Sequence, residues 1–151
     1  MTKILMVCLG NICRSPLAEG VMRHLAAQHS IPVEVDSCGT ANYHVGSKPD
    51  VRSIKKAAEY GIDISPLRGR QFSKQDFEQF DLIYVMDQSN YENVISLSTS
   101  ESDKKKVKLI LNEISETNSE VPDPYYGELD GFEHVYQLLN EACKNIILKL
   151  N

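Results

Sequence analysis

Hydrophobic residues gather into four short runs that are spaced along the chain like the strands of a sheet. Residues 3–7 and 82–86 are almost wholly apolar, which predicts strands that are buried on both faces. Residues 33–37 alternate between apolar and polar side chains, and residues 107–111 form a fourth apolar run. Polar or glycine-containing stretches follow these runs, so the pattern predicts four short strands.

Apolar residues at helical spacing lie between and after these strands. The first predicted helix follows Pro16, and the second extends from a cap at Asp50 through Tyr60 to a stop at Gly61. Two further helices begin near residues 73–76 and near Ser89. The last predicted helix runs from about Phe132 to Leu150. Strands that alternate with helices favour an α/β fold in which a four-stranded, open, parallel sheet carries helices on both faces.

Two of the stretches outside these helices and strands have a distinctive composition or length. Residues 104–106 are three consecutive lysines that follow Glu101 and Asp103, which predicts a solvent-exposed turn. The longest irregular stretch spans about residues 115–131. Long loops in compact domains are commonly functional, so this stretch is a candidate part of a site.

Composition narrows the class of protein. The chain has 151 residues, which predicts a single domain over residues 1–151. A net charge of −5 argues against a nucleic-acid partner, and the apolar run at residues 4–10 is too short to span a membrane. The cysteines include no Cys-x2-Cys pair, which argues against zinc or a disulfide framework and favours reduced thiols in the cytoplasm: Cys8, Cys13, Cys38 and Cys143.

The loop after the first predicted strand carries the most specific chemistry. It reads Cys8-Leu9-Gly10-Asn11-Ile12-Cys13-Arg14-Ser15, followed by Pro16, and so places a thiol, a flexible loop and an arginine before a helix. Backbone N–H groups of such a loop converge on a tetrahedral oxyanion, and they also favour a cysteine thiolate. Cys8 taken alone would favour a buried small apolar residue, but Arg14 and Ser15 follow at a spacing that closes one loop. Ser15 is a suitable N-cap for the helix, with Pro16 in its first turn.

A second motif lies more than a hundred residues further on, where Asp123-Pro124-Tyr125-Tyr126 follows the intervening segment Met86-Asp87-Gln88-Ser89-Asn90. With these motifs and this length, the chain resembles the low-molecular-weight protein tyrosine phosphatases over essentially its whole length. The resemblance implies a phosphate-binding loop directly after the first strand. It also implies hydrolysis of phosphotyrosine proteins or small aryl phosphates without a metal or another cofactor.

The resemblance assigns catalytic roles to three residues. Cys8 is expected to attack phosphorus and form a cysteinyl-phosphate, which divides one displacement into two. Arg14 is expected to clamp two phosphate oxygens with its planar guanidinium group. Asp123 is expected to act as general acid and then as general base, although an Asp-Pro pair alone indicates only a turn.

Further residues are expected to bind substrate or support the loop. Asn11 suits a left-handed turn and Ser15 can also donate to the Cys8 sulfur, whereas Asp87 fits both a contact with Arg14 and a helix cap. Relatives often carry a histidine where this chain has Pro66, so the hydrogen bond of that histidine is expected to be absent or to be replaced through Ser65 or Arg70. The expected substrate-binding residues are Leu9, Gly10, Asn11, Ile12, Cys13, Ser15, Tyr43, Tyr125 and Tyr126, and the supporting residues are Ser37 and Asp87.

Two other functions stay open at this point. A thiol-dependent arsenate reductase uses the same fold, but it needs further redox cysteines between Cys38 and Cys143, where this chain has none. A silent phosphate-binding module could keep Arg14 without a nucleophile or an acid. The protein is expected to be a monomer, and Cys13 is a candidate partner for an oxidised Cys8.

Overall fold

The fold is built around a small parallel sheet. The computed structural model describes residues 1–124 and 129–151, except for the side chains of residues 129 and 130. Within those residues the sheet has four parallel strands in the order β2-β1-β3-β4. The strands are β1 (Thr2–Cys8), β2 (Val33–Gly39), β3 (Leu82–Val85) and β4 (Val107–Leu109). The predicted sheet is confirmed.

Helices follow the strands in chain order. The described helices are α1 (Arg14–Gln28), α2 (Val51–Glu59), α3 (Asp76–Gln79), α4 (Gln88–Ile95), α5 (Glu101–Lys106) and α6 (Leu129–Leu150). Asp50 caps α2 as predicted, because its side chain accepts a hydrogen bond from the N–H of Arg52. In the part of the chain that is described, no helix is both long enough and apolar enough to cross a membrane.

Alternate residues of β1 belong to two hydrophobic clusters. Ile4 and Met6 join a cluster with apolar residues of α1, α2 and α6. Leu5 and Val7 join a second cluster with apolar residues of α3 and α4. Because successive side chains of a strand point to opposite faces, helices cover both faces of the sheet.

The strand order places the loop after β1 in a crevice. β1 pairs with β2 on one side and with β3 on the other. The connection from β1 leads to one side, and the connection from β2 passes back to the other side of β1, so the strand order reverses at β1. In an open parallel sheet, ligands bind at this reversal of strand order. The residues that follow Cys8 therefore lie where this fold holds a ligand.

Several boundaries differ from the sequence prediction. Residues 104–106 belong to α5 rather than to a turn, because Ser100 accepts a hydrogen bond from the N–H of Asp103 and lysines end the helix at its negative pole. β4 stops at Leu109, and Ile110–Glu113 forms a 3-10 helix. The last helix begins at Leu129, earlier than predicted.

Candidate active site

Helix α1 begins two residues earlier than the sequence predicts. Its first residue is Arg14, and its N-cap is Cys13, which makes no side-chain capping bond. Ser15 therefore lies inside the first turn, and the prediction that it caps the helix is wrong. Its hydroxyl oxygen instead lies 3.0 Å from the sulfur of Cys8 and accepts a hydrogen bond of 2.8 Å from Nδ2 of Asn11.

The sulfur of Cys8 lies at the carboxyl end of β1, above the start of α1. The backbone N–H of Asn11 points at this sulfur over 3.3 Å, and the hydroxyl of Ser15 approaches it from the helix. Cys8 is buried but lines a cavity of about 210 Å³ together with Arg14 and Asp123. Two hydrogen-bonding groups thus reach the sulfur.

Asn11 connects the loop to the rest of the fold. Its φ of 58° is left-handed, a conformation that asparagine tolerates better than most residues. Its Nδ2 donates to Ser15 and, over 3.0 Å, to the hydroxyl of Ser37. Its Oδ1 accepts from the N–H of Arg70 over 3.0 Å. Ser37, which was expected to support the loop, therefore contacts its asparagine.

The hydrogen bond expected from a histidine is supplied by backbone. Of the two candidates, Arg70 reaches Asn11 through its N–H. Ser65 does not replace the histidine, because its N–H and hydroxyl both bond to Asp63.

A buried carboxylate that the sequence analysis missed lies behind Ser37. The hydroxyl of Ser37 donates to Oε1 of Glu19 over 2.7 Å, and Oε2 of Glu19 lies 2.7 Å from the guanidinium of Arg23. Burial raises the pKa of Glu19, although Ser37 and Arg23 both act against that shift. The spacing of Ser15, Glu19 and Arg23 at every fourth residue places them on one face of α1, and this was the signal available in the sequence.

Arg14 is held by partners from two distant segments. Its side chain is only 3% exposed, and its Nη1 donates to Oδ2 of Asp87 over 2.7 Å and to the carbonyl of Val121 over 3.0 Å. Burial acts to lower the pKa of Arg14, but Cys8 and Asp87 raise it above its ordinary value. The guanidinium therefore stays charged in a buried site.

Asp87 performs both of the roles weighed for it. Besides pairing with Arg14, it caps α4 by accepting a 2.8 Å hydrogen bond from the N–H of Asn90. Oδ1 of Asn90 accepts in return from the N–H of Asp87, which completes a capping box. One carboxylate thus joins the helix terminus to the guanidinium.

Asp123 lies at the mouth of the same cavity. Its Oδ2 is 3.7 Å from Nη2 of Arg14, and its side chain is 36% exposed. The preceding backbone is fixed, because the N–H of Val121 donates to the carbonyl of Met86 over 2.8 Å. The predicted wall residues Tyr125 and Tyr126 lie outside the described residues.

The other predicted wall residues surround the cavity entrance. Leu9, Ile12 and Tyr43 line it, together with Gly10 and Cys13. Tyr43 is 74% exposed and Leu9 is 40% exposed, so both present apolar surface to an incoming ligand. The structure adds His44, which the sequence analysis did not single out. A side chain on Gly10 would lie 3.0 Å from the ring of His44, so glycine permits this close approach.

An open α/β sheet that brings a thiol, a buried arginine and a carboxylate to one cavity fits the class of phosphatases. The sequence pattern of the low molecular weight phosphotyrosine protein phosphatases matches residues 3–151. The chain belongs to this family, and its members are hydrolases.

Individual relatives agree with this assignment along nearly their whole length. The family phosphatase of Schizosaccharomyces pombe is 40% identical over 154 residues, covering 97% of each chain. The human one is 38% identical over 149 residues, covering 97% of this chain and 94% of its own. A crystal structure of the protein tyrosine phosphatase of Entamoeba histolytica, with Hepes in its active site, superposes with a TM-score of 0.93 at 38% identity, covering 99% of this chain and 97% of that one.

Proposed function

We propose that this protein hydrolyses phosphotyrosine through a cysteinyl-phosphate on Cys8, with Arg14 as phosphate clamp and Asp123 as general acid and base. The observation that carries the proposal is the convergence of these three side chains on one cavity of about 210 Å³. A nucleophile, a fixed cation and a proton donor are the groups that phosphoryl transfer to water requires.

In the first step the thiolate of Cys8 attacks phosphorus, and the bond from phosphorus to the phenolic oxygen breaks. Asp123 transfers its proton to that oxygen, so tyrosine leaves as the neutral phenol. In the second step water attacks phosphorus, Asp123 accepts the proton of the water, and the bond from sulfur to phosphorus breaks. The hydroxyl of Ser15, 3.0 Å from the sulfur, donates to the departing thiolate.

Arg14 is positioned before any ligand arrives. Its Nη1 already bonds Asp87 and the carbonyl of Val121, so we assign two phosphate oxygens to the edge formed by Nε and Nη2, where Nη2 lies 3.7 Å from Oδ2 of Asp123. Because these partners hold the guanidinium in place, the transferring phosphoryl group meets a preorganised cation. The loop N–H groups neutralise the remaining oxygens.

The cavity wall supports an aryl phosphate as substrate. Leu9, Ile12 and Tyr43 form apolar sides above the thiol, so a phenyl ring would contact them while a serine side chain is too short to do so. We expect phosphotyrosine peptides to exceed matched phosphoserine peptides in kcat/KM by a wide margin. A preference for phosphoarginine would contradict the role given to Ile12, which is to form part of an apolar wall that contacts the phenyl ring.

Two substitutions test the catalytic roles. Cys8→Ser should abolish turnover while phosphate binding is retained, because the hydroxyl is a weak nucleophile here. Asp123→Asn should slow hydrolysis of phenyl phosphate by about 10²–10⁴-fold, the usual loss for a positioned general acid. The loss should be smaller with p-nitrophenyl phosphate, because that leaving group needs less protonation. Asp63→Asn, at an exposed carboxylate outside the cavity lining, is the matched control.

Equal losses on the two aryl phosphates would remove Asp123 from the acid role. Full activity of Cys8→Ser would remove the covalent intermediate. Arsenate reduction coupled to a thioredoxin system, in the absence of phosphatase activity, would favour the reductase alternative instead.

We further infer a single domain, a cytoplasmic location and a monomeric state. Sedimentation velocity of the purified protein tests the assembly state, and cell fractionation tests the location. The four described cysteines are free thiols, which supports a reducing compartment.

A further inference from the structure

Residues 69 and 70, called here the 69–70 segment, touch two parts of the site at once. The N–H of Gly69 donates to the carbonyl of Ser47, and its carbonyl accepts from the N–H of Gly46, each over 2.9 Å. The N–H of Arg70 donates to Oδ1 of Asn11 over 3.0 Å. Its carbonyl accepts from the N–H of Gly39 over 2.9 Å. Every backbone polar group of this dipeptide is therefore bonded.

These bonds reach different parts of the cavity. Asn11 belongs to the loop that surrounds the sulfur of Cys8, whereas Gly46 and Ser47 close the loop that carries Tyr43 and His44. The 69–70 segment thus joins the phosphate loop to the wall loop, which we define as residues 43–47. A displacement of either half of the segment would move a different part of the site.

Glycine is required at position 69 by close backbone contact. A side-chain carbon there would lie 2.3 Å from the carbonyl oxygen of His44 and 3.2 Å from its carbonyl carbon. Backbone atoms cannot rotate away as a flexible side chain would. Any side chain at position 69 therefore pushes the wall loop away from the phosphate loop.

The side chain of Arg70 ties the segment to the fold. Its Nε lies 3.0 Å from Oδ2 of Asp36 in β2, and its Nη1 and Nη2 donate to both oxygens of Asp76 in α3 over 3.1 and 3.0 Å. Asp76 is buried and also accepts from the N–H of Ser73. A two-point ion pair with a buried carboxylate gives the backbone of Arg70 a fixed position.

We propose that Gly69 and Arg70 are positioning residues for this phosphatase, Gly69 for the wall that receives the aryl ring and Arg70 for the loop that receives the phosphate. The proposal rests on the proposed function for its kinetic readout. Neither residue lines the cavity, so each acts through the backbone of another segment.

Gly69→Ala is the first test. It should raise KM for phosphotyrosine peptides on the order of tenfold, equivalent to the loss of about one good contact, while kcat changes little. Inorganic phosphate does not touch the wall, so its dissociation constant, measured by calorimetry, should stay within about threefold. Gly61→Ala is the control for loss of stability alone, because alanine is strained at the φ of 78° found there but would meet no atom within 4 Å, and that glycine lies outside the cavity lining.

Arg70→Met is the second test, and it keeps the proposal falsifiable if Gly69→Ala does not fold. It should lower kcat and weaken phosphate binding together, because Asn11 loses a fixed partner. Arg70→Lys should recover part of the loss through a single ion pair. Arg68→Met is the control, since that exposed arginine bonds only nearby carbonyls in the described structure.

Amide hydrogen exchange provides a readout that needs no turnover. In Arg70→Met the N–H groups of Gly46, Gly69 and Arg70 should lose protection, while those of β1 should keep it. The proposal is overturned if Gly69→Ala weakens phosphate and phosphotyrosine binding equally. It is also overturned if Arg70→Met behaves as Arg68→Met does in phosphate binding and exchange. These two readouts stay valid even if the wild type hydrolyses no phosphotyrosine, and so they separate the two failures.

Discussion

Replacement of Ser37 by alanine tests the buried network behind the phosphate loop. The hydroxyl of Ser37 donates to the carboxylate of Glu19 over 2.7 Å and accepts from Asn11 over 3.0 Å, and all three side chains are buried. A hydrogen bond to a charged group contributes about 1.5–3 kcal/mol and a neutral one about 0.5–1.5 kcal/mol. We therefore expect Ser37→Ala to lower the free energy of unfolding by about 2–4 kcal/mol.

Thermal and urea denaturation measure this loss. For a domain of this size, 1 kcal/mol moves the midpoint by about 2–4 °C, so Tm should fall by about 4–16 °C. The activation free energy of turnover should rise by less than the free energy of unfolding falls, because Asn11 keeps its bonds to Ser15 and to the N–H of Arg70.

A double variant separates the buried charge from the lost packing. Glu19→Met removes the carboxylate, and Arg23 tolerates this because its side chain is 54% exposed and also donates to the carbonyl of Val35. Combined with Ser37→Ala, it should show an interaction energy of about 1–3 kcal/mol, because no buried charge is then left without its donor. Additivity within about 0.5 kcal/mol would refute the reasoning.

The pH dependence gives an independent check. Burial already raises the pKa of Glu19, and the hydrogen bond from Ser37 opposes this shift, so Ser37→Ala should raise that pKa further. A carboxyl with a raised pKa binds protons in the folded state before it does so in the unfolded state. Stability of Ser37→Ala relative to wild type should therefore improve as the pH falls through the raised pKa. A deficit that is constant from about pH 8 to about pH 5 would contradict this assignment.

Two further predictions concern acid stability and oxidation. Hydrogen bonds from Tyr60 and other neighbours lower the pKa of Glu133 to about 2. Glu133→Gln should therefore lower Tm at neutral pH. The Tm values of the variant and the wild type should converge as the pH falls from about 4.5 towards 2. Identical curves throughout would show that this exposed cluster adds no stability. Burial, aided by Asp50, raises the pKa of Cys13 to about 12, so its thiol should capture an oxidised Cys8 only slowly. Peroxide should nevertheless inactivate the wild type reversibly with dithiothreitol, whereas Cys13→Ser should recover poorly; full recovery of that variant would leave Cys13 a packing residue.

Residues whose partners are close in sequence could be predicted well. The loop from Cys8 to Ser15 joins a strand to a helix, and its chemistry is visible in a few consecutive residues. Asp50 is predictable as a cap because its side chain accepts from the N–H of Arg52, which is only two residues away. Such local geometry depends little on the rest of the fold.

Residues that act across long separations could not be predicted in the same way. Glu19 reaches the loop only through Ser37, and the N–H of Arg70 meets Asn11 across 59 residues of chain. Ser15 was assigned to the cap because its residue type favours that position, but contacts with Cys8 and Asn11 direct its hydroxyl to the loop. These bonds lie within the loop itself, and they override the preference of serine for the cap position.

The two bonds at Val121 affect the timing of catalysis. Its N–H is held by Met86 and its carbonyl by Arg14, so the backbone two residues before Asp123 is ordered in the absence of substrate. The entropy of ordering this part of the loop is then lost during folding rather than at each encounter. Under the proposed mechanism, substrate binding therefore spends no part of its free energy on ordering the backbone at Val121.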